Sequence, residues 1–212
     1  MFLRTDASTL FGGGGYLAHS RGGPARVMES EGIRWTQVEL LAFEQMEVSI
    51  NVLEFFVAVY YILLWADEFR GQCILLECDN TAAVSWLMKK RAVRGSAPTD
   101  CLVRLLSLFC LRENIVVTSL HIKGTDNIIA DFRSRDLDYL PQDSDEELVN
   151  RVLQGGSAFD GWSRRELCRS VLLLCVTKPA EMLGPRGLEL LTRLVGISGP
   201  STVGLSMPTP TA

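Results

Sequence analysis

The 212-residue chain lacks the marks of a secreted protein, a membrane protein or a zinc finger. Its six cysteines form no C-x-x-C pair, have no histidine at zinc-ligand spacing and lie mostly in apolar runs, which predicts buried thiols in a reducing compartment. The first residues show neither the basic nor the apolar region of a signal peptide. No apolar run reaches the ~18 residues that a membrane span requires. We therefore expect an intracellular protein, of the cytoplasm or nucleus, with no membrane partner.

An excess of positive charge is absent as well. The formal net charge is −4 and the isoelectric point is about 5.3. This argues against a broad, nonspecific nucleic-acid binder, because such proteins carry a basic footprint. Any contact with nucleic acid must be confined to a patch. The chain is rich instead in hydrophobic residues, which make up 47% of it and can form one good core with a small appendage.

Hydrophobic patterning predicts an α/β fold. Helical periodicity runs from about Ser49 to Phe69, and the apolar run Cys73–Cys78 after it is expected to be a strand buried on both faces. A strand after a helix of this length indicates a crossover connection, and hence a mixed sheet with helices against it. The segment 30–47 fits a strand, a short helix or an insertion. Other strands are predicted at 2–8, 16–19, 25–29 and 115–120, and other helices at 81–90, 100–112 and 127–135.

Two stretches of unusual composition complete the outline. The tract Gly12–Gly15 between the first two strands predicts a hairpin, since glycine permits positive φ and close backbone approach. Composition shifts after residue 138. A linker and a short helical appendage are expected over 139–180. The Ser-, Thr-, Pro- and Gly-rich remainder, 181–212, is expected to be a disordered tail.

Four acidic residues lie in or beside the predicted strands and helices. Asp6 lies near the end of the first strand, Asp79 follows the fourth, Glu54 lies near the start of the long helix and Asp131 lies within the helix predicted at 127–135. Each has a simple structural interpretation, as a turn residue, an N-cap, the end of a capping box begun by Asn51, and a surface acid, respectively. At one edge of a mixed sheet, however, the four can meet, and carboxylates gathered there cannot stay ionised without cations. Mg²⁺ or Mn²⁺ would meet this need.

The motifs around these acids resemble the ribonuclease H domain of retroelement reverse transcriptases, most closely the DIRS-like and gypsy-like groups. The resemblance covers about residues 2–135 and implies a ribonuclease H-like domain over 1–138. Its five-stranded mixed sheet would have three antiparallel strands followed by parallel ones, flanked by helices. The motifs are Asp6-Ala7-Ser8, Asn51-x-x-Glu54, Cys78-Asp79-Asn80 and the stretch His121-Ile122-Lys123-Gly124-x-x-Asn127-x-x-Ala130-Asp131-x-x-Ser134-Arg135.

The resemblance implies a hydrolase that cleaves the RNA strand of RNA–DNA hybrids during reverse transcription. Asp6, Glu54, Asp79 and Asp131 would be its catalytic residues and metal ligands, with Asp126 as a second candidate for the fourth position. Two Mg²⁺ ions, replaceable by Mn²⁺ and roughly 3.5–4 Å apart, would clamp the attacking water and the leaving 3′-oxygen. The implied protein partner is an adjacent polymerase domain of the same polyprotein.

A cluster of basic residues is the candidate patch for nucleic acid. Lys89, Lys90, Arg91 and Arg94 follow Trp86 near the end of a predicted helix. A solvated helix terminus explains the charges without a ligand. Cellular ribonucleases H, by contrast, carry a basic, Trp-bearing protrusion in this part of the chain that grips the DNA strand. Such a patch would reconcile an acidic protein with phosphate contacts.

Asn80, His121 and Lys123 complete the candidate contacts with nucleic acid. His121 fits either strand-end packing or a substrate contact, while the mobile histidine that cellular ribonucleases H carry after this Lys-Gly is Thr125 here. The alternative function is an inactive ribonuclease H-like scaffold or binding module whose acids serve as caps and turns. A DNA integrase or resolvase is a weaker possibility, because the integrase pattern places its glutamate on a late helix.

Overall fold

A mixed five-stranded sheet organises the computed structural model, which describes residues 1–20, 25–91, 96–135, 143–154 and 162–196. The strands lie in the order β3-β2-β1-β4-β5. The first three pair antiparallel, β4 pairs parallel to β1, and β5 pairs parallel to β4. This confirms the predicted α/β class and mixed sheet. The strands are β1 (Phe2–Ala7), β2 (Gly12–His19), β3 (Arg26–Arg34), β4 (Cys73–Cys78) and β5 (Val116–His121).

Helices cover the sheet on both faces. Helix α2 is apolar on all sides and is buried from Val52 to Leu63, as expected for a helix in the middle of a core. Helix α6 lies on the opposite face, where Ala130 packs with Tyr16 and Ala18. The helices are α1 (Gln37–Gln45), α2 (Ile50–Leu64), α3 (Ala66–Phe69), α4 (Thr81–Lys89), α5 (Ala97–Glu113), α6 (Ile128–Arg135), α7 (Asp143–Leu153), α8 (Arg164–Thr177), α9 (Pro179–Met182) and α10 (Pro185–Gly196), with a 3₁₀ turn at Gly124–Asp126.

The segment that the sequence left unassigned contains the end of β3 and the whole of α1. Thr36 begins this helix with a capping box, in which its hydroxyl accepts from the backbone of Glu39 and the Glu39 carboxylate accepts from the backbone of Thr36. Strand β4 has the predicted bounds, but it is not buried on both faces. Ile74 and Leu76 are buried while Leu75 is only half-buried, because α6 packs over β1, β2 and β3 rather than over β4.

The glycine tract lies inside β2, not in the turn before it. A Cβ added at Gly14 would come within 2.2 Å of the carbonyl oxygen of Ala130, and one at Gly15 within 2.5 Å of the Tyr61 ring. Helices α6 and α2 therefore approach the strand from opposite faces to a distance that admits no side chain. The tract serves close packing, and the hairpin turn itself falls on residues 8–11.

The C-terminal part is integrated into the domain rather than appended to it. Helix α8 is buried in the same core as α2 and α5. Arg169 on α8 donates to the Glu39 carboxylate at 2.9 Å and to the carbonyl oxygen of Arg34. The expected boundary at residue 138 is therefore not a boundary in the packing. In the described part of the chain, every helix is too short or too polar to traverse a lipid bilayer.

The expected disordered tail was wrong over 181–196. Helix α10 occupies Pro185–Gly196 and buries Leu190 and Leu194 against the core. Its apolar residues recur at helical spacing, which outweighs the Gly- and Pro-containing flanks on which the expectation was based. Residues 139–142 and 197–212, which belong to the predicted linker and tail, lie outside the described ranges.

Candidate metal centre

The acids Asp6 and Asp79 stand side by side because their strands are parallel neighbours. The register pairs Phe2 with Leu75 and Arg4 with Glu77, and continuing it by two residues places Asp6 opposite Asp79. Both acids therefore lie at the carboxyl edge of the sheet. This edge is also a topological switch, because the chain leaves β1 toward β2 on one side and leaves β4 for α4 on the other.

Glu54 reaches the same edge from the first turns of α2. Glu54 is only 5% exposed. Its carboxylate accepts hydrogen bonds from the backbone N–H of Ala7 and from the Cys78 thiol, whose Sγ lies 3.8 Å from Oε2. Burial, and then the charges of Asp6 and Asp79, raise the pKa of Glu54 to about 9. The glutamate therefore lies within electrostatic range of both strand-end acids.

The capping-box interpretation of Glu54 is wrong. Helix α2 has Ser49 as its N-cap, so Asn51 lies inside the helix. The side-chain oxygen of Asn51 accepts a 2.9 Å hydrogen bond from the amide of Asn80 instead. Glu54 is thus not held at this position by a helix-capping requirement.

Asp6 is buried, and it is electrostatically linked to Asp131. Burial raises the pKa of Asp6 to about 6. The charges of Asp79 and Asp131 add to the rise, while a hydrogen bond from the Ser134 hydroxyl and the charge of Arg135 oppose it. The four predicted acids therefore form one group whose negative charges repel one another. Asp6 and Asp79 lie at its centre, with Glu54 on the α2 side and Asp131 on the α6 side.

Asp131 is the more exposed member of the group. It forms a 2.6 Å ion pair with Arg135 one turn along α6, and the two side chains are 43% and 60% exposed. The rival ligand Asp126 lies in the exposed 3₁₀ turn, where its backbone carbonyl accepts from Arg4. Since the charge of Asp131 is among those that act on Asp6, the arrangement favours Asp131 over Asp126 as the fourth acid.

Asp79 is not the N-cap of the helix that follows it. Asn80 caps α4, and its side-chain oxygen accepts from the backbone N–H groups of Ala82 and Ala83. The Asp79 carboxylate faces the 3₁₀ turn, where a Cβ added at Gly124 would lie 3.0 Å from Oδ2. Glycine at this position lets the turn lie close over the acid.

The structure adds Cys78 to the group, a residue that sequence reasoning assigned to the core. Glu54, Cys78 and Asp79 each offer a ligand atom, and these atoms lie within 4.8 Å of one another. Cys78 is the last residue of β4, in direct sequence with Asp79. Position next to a strand-end acid was the one available signal, and it did not reveal that the thiol turns toward Glu54.

The basic residues of the predicted nucleic-acid patch are exposed, whereas the indole ring of Trp86 is buried. Lys89, Lys90 and Arg91 are exposed at the carboxyl end of α4, and Arg94 lies beyond the described ranges. Trp86 is only 8% exposed and packs edge-on against Phe55 at 5.7 Å between ring centroids. This placement does not fit a ring that contacts nucleic acid, because the indole is part of the core. The nine-residue helix α4, about 14 Å long, separates the exposed charges from Asp79.

The remaining predicted contacts surround Asp79. The imidazole Nε2 of His121 lies 3.1 Å from the carbonyl oxygen of Asp79, and the ring is exposed. Lys123 precedes the 3₁₀ turn and is exposed. The amide of Asn80 is engaged with α4 and with Asn51, which accounts for this residue without a nucleic acid.

Comparisons with family models, curated proteins and solved structures find no match to the chain. The family assignment therefore stays a prediction from motifs.

Proposed function

We propose that the chain is a divalent-metal-dependent nuclease of ribonuclease H type, which hydrolyses the RNA strand of RNA–DNA hybrids during retroelement reverse transcription. The observation that carries the proposal is the convergence of Asp6, Glu54 and Asp79, with Asp131 beside them, at one edge of the sheet. The choice of an RNA–DNA hybrid and of a polymerase domain as partner rests on the motif resemblance.

The donor set fits Mg²⁺ or Mn²⁺. Both ions prefer carboxylate oxygens, and the cluster offers four carboxylates. Glu54 is buried, and no cationic side chain of the described residues is among the groups that act on its charge. A buried carboxylate beside two others is costly unless a cation compensates it. A bound metal would meet this cost, act as a Lewis acid on a phosphoryl oxygen and lower the pKa of a bound water.

The chain's own residues would orient the acids. Ser134 donates to Asp6, the Ala7 N–H donates to Glu54, and His121 contacts the backbone carbonyl of Asp79. Asp131 is held less strongly, because an exposed i,i+4 ion pair such as that with Arg135 contributes only about 0.3–0.5 kcal/mol. Asp131 can therefore exchange its arginine for a cation at little cost. The exposed charges of Lys89, Lys90 and Arg91 would hold the substrate backbone.

The test is cleavage of an end-labelled RNA–DNA hybrid by the full chain with Mg²⁺. We expect Asp79→Asn to lower the rate by at least about 100-fold, since even the residues that orient metal ligands are worth 10–100-fold. Asp100→Asn is the matched control, because it makes the same change at an acid of α5 that lies outside the cluster, in an exposed ion pair with Arg104. Cleavage that is unchanged in Asp79→Asn would refute the assignment, and duplex DNA and single strands as substrates would test the choice of hybrid.

One observation favours the alternative of a non-catalytic scaffold or nucleic-acid-binding module. Each carboxylate except that of Asp79 already has a partner within the protein: Ser134 for Asp6, Arg135 for Asp131, and the Ala7 N–H with the Cys78 thiol for Glu54. A calorimetric titration separates the two functions. An intact fold that binds neither Mg²⁺ nor Mn²⁺ would support the scaffold.

A further inference from the structure

We propose that Glu54, Cys78 and Asp79 form a binding site for a thiophilic divalent cation such as Zn²⁺, and that this cation inhibits the nuclease by competing with Mg²⁺. We call these three residues the thiol–carboxylate cluster. The binding stands on the geometry of the three side chains. The inhibition rests on the proposed function.

The separation of the Cys78 thiol and the Glu54 carboxylate suits a small tetrahedral ion. The three ligand atoms lie within 4.8 Å of one another, and Cys78 Sγ is 3.8 Å from Glu54 Oε2. With metal–sulfur bonds of about 2.3 Å and metal–oxygen bonds of about 2.0–2.2 Å, neighbouring sulfur and oxygen ligands of a tetrahedral ion lie about 3.5–3.7 Å apart. A shift of a few tenths of an ångström would bring the pair to that separation. Three protein ligands and one water are a common set for accessible zinc sites.

The ligand types separate this cation from Mg²⁺. A hard ion gains little from sulfur, whereas Zn²⁺ and Cd²⁺ bind cysteine well. Binding would replace the Cys78 S–H bond with a sulfur–metal bond and release the proton to solvent. Because Glu54 and Asp79 would also be Mg²⁺ ligands under the proposed function, the two kinds of ion cannot occupy them together.

Burial should hold a bound cation tightly, and solvent access at Asp79 lets the cation enter the cluster. Cys78 and Glu54 are buried, and no cationic side chain of the described residues acts on Glu54, so a cation there would meet an uncompensated carboxylate. Asp79 is half-buried and opens the cluster toward solvent. The entering ion would therefore meet Asp79 first.

The test is a Cd²⁺ titration of the full chain, read by thiolate-to-cadmium charge-transfer absorption in the ultraviolet. This readout does not require nuclease activity. We expect Cys78→Ser to lower the Cd²⁺ affinity by at least about 100-fold, because one direct ligand is lost. Cys73→Ser is the control, since Cys73 is an exposed cysteine of the same strand outside the cluster.

A second variant keeps the thiol and removes a carboxylate. Glu54→Gln is expected to lower Cd²⁺ affinity at least about 10-fold, because it removes one carboxylate ligand. Unchanged affinity in this variant would mean that the thiol alone binds the ion. If Cys78→Ser fails to fold, the result for Glu54→Gln still decides. Cd²⁺ binding that is insensitive to either change in a folded variant would overturn the proposal.

Hybrid cleavage at fixed Mg²⁺ with increasing Zn²⁺ tests the inhibition. Relative to its own rate without Zn²⁺, Cys78→Ser should need at least about 10-fold more Zn²⁺ for half-inhibition than Cys73→Ser. The two proposals fail in different ways. Cys78-dependent Cd²⁺ binding without cleavage of any hybrid would refute the nuclease and keep the cation site. Hybrid cleavage together with Cd²⁺ binding that does not depend on Cys78 would keep the nuclease and refute the cation site.

Discussion

Two buried glutamates in this chain have opposite surroundings. Glu39 is 0% exposed and bonds to the guanidinium of Arg169 and to the backbone and hydroxyl of Thr36. Glu54 is 5% exposed and has a backbone N–H and a thiol as donors, with two further carboxylates close by. One acid has its compensating cation in the fold, and the other faces only more negative charge.

The difference separates an acid whose charge the fold neutralises from one whose charge it does not neutralise. A buried carboxylate with its own arginine joins α1 to α8 and has no need of a ligand. A buried carboxylate among others stores unfavourable free energy that a bound cation would release. Burial alone would have given the two glutamates the same interpretation, so the sign of the neighbouring charges is what distinguishes them.

The largest expected effect on stability comes from breaking the buried ion pair between Glu39 and Arg169. Replacing Arg169 by Leu leaves Glu39 buried without its cation, and breaking such a pair costs about 3–5 kcal/mol. Urea unfolding followed by circular dichroism measures this. Arg104→Leu is the control, because its pair with Asp100 is exposed and worth about 0.5 kcal/mol or less.

Adding Glu39→Gln to Arg169→Leu sharpens the result. The double variant has no unpaired charge at α1 and should recover part of the lost stability. If Arg169→Leu destabilises no more than Arg104→Leu, the pair is not what accommodates Glu39, and the comparison with Glu54 loses its basis.

The next effect concerns the uncompensated glutamate in the metal-free protein. The pKa of Glu54 is about 9 in the folded chain, against an ordinary 4.5, so the folded state holds a proton that the unfolded state releases. Its contribution to stability is therefore present below pH 4.5 and is lost as the pH rises from there to about 9. Glu54→Gln removes this loss and should exceed wild type in stability by on the order of 2 kcal/mol at pH 7.

Urea unfolding between pH 4 and 9, in the presence of a chelator, makes the measurement. Glu44→Gln, at an exposed position of α1, should follow the wild-type curve. Mg²⁺ should narrow the gap between wild type and Glu54→Gln, since a cation bound only by the folded state stabilises it. A wild-type curve parallel to that of Glu54→Gln would show that Glu54 ionises normally.

The sequence predicted what local pattern determines. Strand β4 was found with its observed bounds because an apolar run stands between Gly71 and Asp79. The four acids were picked out because each lies in a recognisable short motif. The parallel pairing of β1 and β4 then follows from the crossover, and it brings Asp6 to Asp79.

What the sequence could not show depends on distant contacts. The pairing of Glu39 with Arg169 joins residues 130 positions apart, and no local pattern indicates it. The packing role of Gly14 and Gly15 requires knowing which helices cover β2. Cys78 resembled an ordinary core thiol because its neighbour across the fold, Glu54, lies on another element.

The smallest effect tests whether Asp6 belongs with the uncompensated acids. Its pKa is raised by burial to about 6 although the Ser134 hydroxyl opposes the rise. Ser134→Ala should raise the pKa of Asp6 further and cost about 1 kcal/mol of stability. Calorimetric Mg²⁺ binding between pH 5 and 8 should then show its acid limb displaced to higher pH.

Ser107→Ala is the matched control, because it makes the same change at a helical serine whose hydroxyl donates to the carbonyl oxygen of Val103 in its own helix. The single hydroxyl proton of Ser134 is shared between the Asp131 carbonyl and the nearer Asp6 carboxylate. The Ser107 variant should therefore bind Mg²⁺ with the wild-type pH dependence. If the two alanine variants show the same pH dependence of Mg²⁺ binding, the Ser134 hydroxyl does not affect the pKa of Asp6. Asp6 would then resemble Glu39, which needs no cation, more than Glu54.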